Sequence, residues 1–115
     1  MRAKGNAFDP DGKAERPDFV ISDHEGMSCS GEFLNLVATN LSNAGFNVAI
    51  NDPYKGAELT RRYSDPEDGR HSLQIEINRR LYMNEMTVER STEFENLYEH
   101  LTNLAKTVCA FAANT

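Results

Sequence analysis

A strand-like run in the second half of the chain carries the most reactive group that the sequence offers. Residues 72–78 alternate between polar and apolar side chains, and Glu76 stands in the polar row with Gln74 and Asn78 two positions to either side. A carboxylate whose proton affinity is set by burial and by its neighbours can take a proton from water and pass it on. An edge strand with a solvated polar face gives the same pattern and, on the pattern alone, is the commoner case.

Two pairs of adjacent arginines could bind an anionic substrate. Arg61-Arg62 and Arg79-Arg80 stand before and after the run that contains Glu76. A guanidinium can form paired hydrogen bonds with a substrate carboxylate. Because neighbouring side chains of an extended chain point in opposite directions, at most one arginine of each pair should face a common site. The alternative is ordinary surface charge.

The histidines are scattered, and the sequence contains neither an HExxH motif nor a glycine-rich nucleotide-binding motif. His24 and His71 each adjoin a candidate loop and could be ligands, although a lone histidine in a turn is more often a hydrogen-bonded structural group. His100 is predicted to lie on the surface of a helix.

The elements that would position these residues form an α/β pattern. We predict a strand over 18–22, a helix with Ser30 as its N-cap and Gly45 just past its end, and a second strand over 46–50. This strand–helix–strand unit should have a right-handed crossover. Residues 51–69 collect turn-forming residues and are predicted to be a long loop, a kind of segment that is often functional.

The chain should end in a helix over about residues 92–112. Thr92 and Glu95 have the spacing of a capping box. The apolar stripe of this helix contains Phe94, Leu97, Tyr98, Leu101, Leu104, Ala105 and Val108. Residues 1–17 are predicted to be an irregular N-terminal arm, and residues 18–115 a single unit.

Composition narrows the class of protein. A chain of 115 residues, 39% of them apolar and none of them Trp, is one domain or part of one, with a modest core. The net charge of −6 argues against nucleic acid and anionic membranes as partners. Cys29 and Cys109 match no disulfide framework or zinc spacing, and no leader or spanning segment is apparent, so we expect free thiols and a cytoplasmic protein.

Several runs, in order and spacing, resemble the C-terminal part of the N-formylglutamate amidohydrolases, also called N-formylglutamate deformylases. The resemblance covers the chain from about Pro17 to its end. The runs are Asp18-Phe19-Val20-Ile21-x-Asp23-x-x-Gly26-x-Ser28-Cys29, Asn51-Asp52-Pro53-Tyr54-x-Gly56, Thr60-Arg61-x-Tyr63-x-x-Pro66 and His71-x-x-Gln74-Ile75-Glu76-Ile77-Asn78-Arg79-x-Leu81-Tyr82-Met83.

The resemblance implies a fold and a reaction. The fold would be a zinc-carboxypeptidase-like α/β/α sandwich around a mixed sheet. The reaction would be hydrolysis of the formamide of N-formyl-L-glutamate to formate and L-glutamate, typically in bacterial histidine breakdown. Glu76 would match the glutamate that acts as general base and then acid, and Arg61, or secondarily Arg79, would hold a substrate carboxylate. The remaining substrate-binding candidates are Asn51, Tyr54, Gly56, Gln74 and Asn78.

The sequence also departs from the family pattern. Ser22, Ala57 and Ser64 stand where glycine is usual, and Met27 stands for a usual threonine. Because glycine permits positive φ and close backbone approach, we expect an altered loop geometry and an altered substrate preference.

The resemblance further implies a zinc ion whose ligands lie in an N-terminal half, ending in a His-Ser-Met run that Met1 would close. We therefore expect a truncated form without metal ligands, doubtful in activity by itself. A non-catalytic remnant that binds partners or self-associates through an exposed sheet edge is the alternative. An unrelated small α/β domain with coincidental matches is a third possibility.

Overall fold

A three-stranded mixed sheet forms the centre of the computed structural model, which describes residues 1–4, 15–52, 54, 56 and 58–114. The central strand pairs in parallel with the second strand and antiparallel with the third, in the order β2-β1-β3. The elements are β1 (Phe19–Ser22), α1 (Gly31–Asn43), β2 (Val48–Ile50), α2 (Glu58–Arg62), a 3₁₀ helix (Pro66–Asp68), β3 (Gln74–Ile77), a second 3₁₀ helix (Arg79–Leu81), β4 (Met83–Asn84), β5 (Glu89–Arg90) and α3 (Phe94–Ala113). The predicted strand–helix–strand unit and third strand are confirmed.

The two long helices, α1 and α3, pack on one face of the sheet. Their apolar stripes meet the side chains of β1 that point to that face, since alternate residues of a strand share a face. The buried cluster consists of Phe19, Ile21, Val37, Leu41, Leu97 and Leu104. The core is therefore built between one face of the sheet and two helices.

The ends of α1 follow the sequence prediction. The Ser30 hydroxyl accepts a hydrogen bond from the Phe33 backbone N–H at 3.1 Å, which satisfies one of the donors that a helix start leaves open. Gly45, just beyond the last turn, has a φ of +96°, a conformation that glycine adopts at little cost. Ser30 therefore begins the helix and Gly45 follows its end, as predicted.

The C-terminal helix departs from its prediction at several positions. It begins at Phe94, and its N-cap Glu93 makes no side-chain capping bond, so the capping box predicted at Thr92 and Glu95 is wrong. Tyr98 is 61% exposed, and Ala105 is exposed as well. His100 is half-buried, because its ring meets the edge of the Phe46 ring at 5.2 Å, and the prediction of a surface histidine was wrong.

Several short elements were not predicted. The segment predicted as a continuous loop contains α2 and a 3₁₀ helix, and a small hairpin of β4 and β5 precedes α3. Elements of two to five residues are too short to give an apolar periodicity, which is why the sequence pattern missed them.

The described ends of the N-terminal arm lie against the sheet. The Met1 amino group donates to the Ile77 carbonyl at 2.6 Å, and the Arg79 N–H donates to the Met1 carbonyl at 2.8 Å. An isolated bridge joins Lys4 to Glu15. Residues 5–14 of the predicted arm lie outside the described residues.

Candidate functional site

The second face of the sheet carries the predicted polar row. Phe19 and Ile21 point into the core, so Val20 and Ser22 point to the opposite face, where both are fully buried. The antiparallel register sets Glu76 beside Val20 and Gln74 beside Ser22. Glu76 therefore lies on the side of the sheet away from α1 and α3, over a buried floor.

The Glu76 carboxylate is half-buried and held by a neighbour. The Gln74 side-chain Nε2 donates to Glu76 Oε1 at 3.0 Å, as two-residue spacing on a strand allows. Burial lowers the pKa of the Met1 amino group; among weaker effects, Glu76 raises that pKa and Arg79 and Arg16 lower it. The Glu76 carboxylate therefore lies near the Met1 amino group, whose surroundings also include Arg79 and Arg16.

The chain that follows β2 folds over the same face. The Ser22 hydroxyl donates to the Tyr54 carbonyl at 2.8 Å, and the Arg16 guanidinium lies 5.3 Å from the centroid of the Tyr54 ring. Because Ser22 is the cross-strand neighbour of Gln74, the Tyr54 backbone lies on the face of the sheet that carries Gln74 and Glu76. Ser22, one of the departures from the family pattern, thus supplies an anchor for this loop.

The side chain of Asn51 is bound within the chain. Its Nδ2 donates to Asp23 Oδ1 at 2.7 Å, and its Oδ1 accepts from the Asp23 backbone N–H at 3.1 Å. Asp23 is buried, and sequence reasoning did not select it as a functional residue. An Asp that directly follows a strand and precedes a glycine turn is the signal that could have found it.

Gly56 occupies a position where a larger residue would be strained and crowded. Its φ is +116°, and a Cβ added there would lie 3.0 Å from the Thr60 hydroxyl and 3.3 Å from the His24 backbone nitrogen. The loop after β2 therefore packs directly against the turn after β1. Ala57, another departure from the family pattern, lies outside the described residues.

The two arginine candidates differ in their surroundings. Arg61, on α2, donates through Nη2 to both carboxylate oxygens of Glu58, at 2.7 and 2.8 Å, and the two side chains are 63% and 61% exposed. This hydrogen bond and the Arg61 charge lower the pKa of Glu58, and the same contact raises the pKa of Arg61. Arg79 is exposed beside Met1. Both guanidinium groups are therefore open to solvent.

Asn78 is fully buried at the end of β3. Its Nδ2 donates to the carbonyls of Arg16 and Pro17, at 3.2 and 3.1 Å, and its Oδ1 accepts from the Arg80 N–H at 3.1 Å. The Asn78 amide therefore joins the N-terminal arm to the 3₁₀ helix that follows β3.

The two loop histidines occupy different parts of the fold. His71 accepts a hydrogen bond from the Ser30 N–H at its Nδ1, at 3.0 Å, and stacks on Phe33 with 5.6 Å between ring centroids. It therefore braces the start of α1. His24 has a φ of +54° and lies close enough to Glu58 to lower the pKa of that carboxyl slightly.

The zinc ion that the resemblance implies would need protein ligands. Within the part of the chain that the structure describes, no group of three or more His, Cys, Asp or Glu side chains could hold a metal ion. The usual zinc site needs at least three protein ligands, so the described residues do not fit the zinc ion that the resemblance implies.

Among the described residues, no helix combines the length and apolar character needed to cross a membrane.

Comparison with known proteins identifies a class of hydrolase. Residues 1–83 match the model of the N-formylglutamate amidohydrolases, and the chain belongs to this family. The match begins at residue 1 and so includes the N-terminal arm, which the sequence resemblance left out.

Individual proteins that the chain resembles carry the same family name. The chain is 33% identical over 70 residues to an N-formylglutamate deformylase of Pseudomonas aeruginosa, covering 60% of this chain and 26% of that protein. It is 35% identical over 78 residues to one of Pseudomonas putida, covering 65% of this chain and 28% of that protein. A crystal structure of N-formylglutamate amidohydrolase from Ralstonia eutropha JMP134 superposes with a TM-score of 0.83 at 40% identity, covering 88% of this chain and 36% of that one. The chain thus spans about a quarter of the curated relatives.

Proposed function

We propose that this chain supplies the general acid–base and part of the substrate pocket for hydrolysis of N-formyl-L-glutamate to formate and L-glutamate. One observation carries the proposal: Glu76 is half-buried on the polar face of the sheet, held by Gln74, on the surface that continues to the loop after β2. The names of the matched relatives support the substrate. The three-stranded sheet would be part of a larger α/β/α sandwich in the cytoplasm.

Each candidate residue has a proposed role. Glu76 takes a proton from the attacking water and donates it to the departing amine, and Gln74 keeps the carboxylate oriented. Arg61 releases its contact with Glu58 and binds a substrate carboxylate in its place. Arg79 is the second candidate for this role. Tyr54 forms part of the pocket wall.

The remaining candidates shape the pocket through the backbone. The amides of Asn51 and Asn78 are already bonded to groups of this chain, and Gly56 permits the close approach of two loops. On this proposal, the zinc ion that the resemblance implies is held by residues in the part of the relatives that the chain does not match.

The alternative function is that of a binding module. Ile50, on the outer strand β2, is 43% exposed, and an open strand edge with an apolar side chain is a surface for association. A chain that associates through this edge without releasing formate would favour that alternative.

The test is formate release from N-formyl-L-glutamate in a coupled formate dehydrogenase assay. Residues 17–115 replace the matched segment of the Ralstonia protein in a chimera, and the 115-residue chain is assayed beside it. We expect the chimera to release formate and Glu76→Gln to lower kcat by about 10²–10⁴-fold, the usual contribution of a general acid–base.

A matched control separates catalysis from folding. Glu89→Gln changes an exposed carboxylate on β5 and should leave the rate unchanged. Circular dichroism and thermal melting should be the same for both variants. Full activity of a folded Glu76→Gln chimera would remove Glu76 from the mechanism.

A further inference from the structure

Two pairs of hydrogen-bonded residues join the end of β1 and the turn after it to the loop after β2. In the first pair the Ser22 hydroxyl donates to the Tyr54 carbonyl, and in the second Asp23 and Asn51 exchange two hydrogen bonds. Since β1 and β2 are parallel, their carboxyl ends lie at the same edge of the sheet, where open α/β sheets bind ligands. We name these two pairs the loop clamp.

The turn that the clamp holds has an uncommon backbone. His24, Glu25 and Gly26 are consecutive residues with positive φ, and Asn51 is a further one at the far side of the clamp. Residues with side chains rarely adopt such angles unless the surrounding structure enforces them, and such residues cluster at functional sites.

Asp23 enforces the turn from its buried position. Its Oδ1 accepts from the Gly26 N–H at 2.8 Å as well as from Asn51, and its carbonyl accepts from the N–H groups of Met27 and Ser28. One residue therefore shapes the turn and binds the neighbouring loop at the same time.

The clamp also determines where α2 lies. Gly56 lies two residues after Tyr54, and a Cβ added there would crowd the His24 backbone at 3.3 Å and the hydroxyl of Thr60, which is buried in α2, at 3.0 Å. Arg61 is the next residue of that helix. A shift of the turn after β1 would therefore move the arginine proposed to bind substrate.

We propose that Ser22, Asp23 and Asn51 are positioning residues that fix Tyr54, Gly56 and α2 relative to the Glu76 face and thereby determine substrate affinity. The inference rests on the proposed function. The clamp would act on substrate binding and leave proton transfer at Glu76 unchanged, since its hydrogen bonds reach the loop and not the carboxylate of Glu76.

The kinetic test uses the chimera. Asn51→Ala should raise KM about tenfold, the effect of losing the part-buried hydrogen-bonded pair with Asp23, with kcat changed by less than about threefold. The exchange Asp23→Asn with Asn51→Asp keeps a donor and acceptor across the pair and should recover most of the affinity. Asn43→Ala, at the exposed end of α1, is the control. A fall in kcat with KM unchanged, or an effect no larger than the control, would overturn the proposal.

A second measurement uses the 115-residue chain and does not depend on activity. Asn51→Ala should speed amide hydrogen exchange over residues 58–62 by more than about tenfold. The double variant, Asp23→Asn with Asn51→Asp, should restore protection of these amides. If Asn51→Ala does not fold, Ser22→Ala, a smaller change, replaces it and should also speed amide hydrogen exchange over residues 58–62. Unchanged exchange in the folded variants contradicts the clamp. Absence of formate release from every form would count against the proposed function alone.

Discussion

Replacing Gly56 by alanine tests the contact between the two loops. The φ of +116° lies outside the range that alanine adopts readily, which costs about 1–3 kcal/mol. The added Cβ would also lie 3.0 Å from the hydroxyl of buried Thr60 and 3.3 Å from the His24 backbone, and crowding of this kind costs a further ~1–3 kcal/mol. We therefore expect Gly56→Ala to destabilise the fold by about 2–6 kcal/mol.

Gly69→Ala separates the two causes. Gly69 also has a positive φ, +77°, but an added Cβ there meets no atom within 4 Å, so only backbone strain of about 1–2 kcal/mol should appear. Urea unfolding followed by circular dichroism measures the difference, and the midpoint of Gly56→Ala should be lower by about 1 M or more. If opening is local, the loss appears as faster amide exchange over residues 58–62. Equal midpoints and equal exchange for the two variants would refute the close approach of the loops.

Two further predictions concern buried groups. Asn78→Ala should lower the free energy of unfolding by about 1–3 kcal/mol, because the Pro17 carbonyl loses its Asn78 donor and the Arg16 carbonyl keeps the Arg80 guanidinium alone of the two side chains that donate to it. Asn96→Ala, at an exposed position, should change the free energy of unfolding little, and equal effects of the two variants in urea unfolding would contradict the buried role of Asn78. Burial raises the pKa of the Cys29 thiol from 9.0 to about 11, so a thiol reagent should modify exposed Cys109 rapidly and Cys29 only on unfolding. Because the folded pKa is the higher one, the stability that this thiol contributes is complete below pH 9 and is lost as the pH rises towards 11, and Cys29→Ala should flatten that decline in the urea midpoint.

The sequence by itself determined the central elements of the fold. Local signals decided them: the apolar run of β1, the cap at Ser30, the glycine at position 45 and the two-residue alternation through Glu76. Each of these signals depends on residues only a few positions apart, which is why pattern and propensity are enough to find it. The family followed from runs of residues in one order.

The tertiary structure alone determined how the candidate residues are used. Asn51 and Asn78 were predicted to bind substrate. In the structure the Asn51 amide donates to Asp23, 28 positions away in the sequence, and the Asn78 amide donates to the carbonyl of Arg16, 62 positions away. His100 is half-buried because its ring packs against the ring of Phe46, which comes from a distant part of the chain. Periodicity reports which face a side chain occupies and carries no information about the partner that folding brings there, because that partner comes from a distant part of the chain. For the same reason the position of Glu76 on a strand could be predicted, whereas its proximity to Met1 and the contact of Ser22 with Tyr54 on the same face depend on the folded chain.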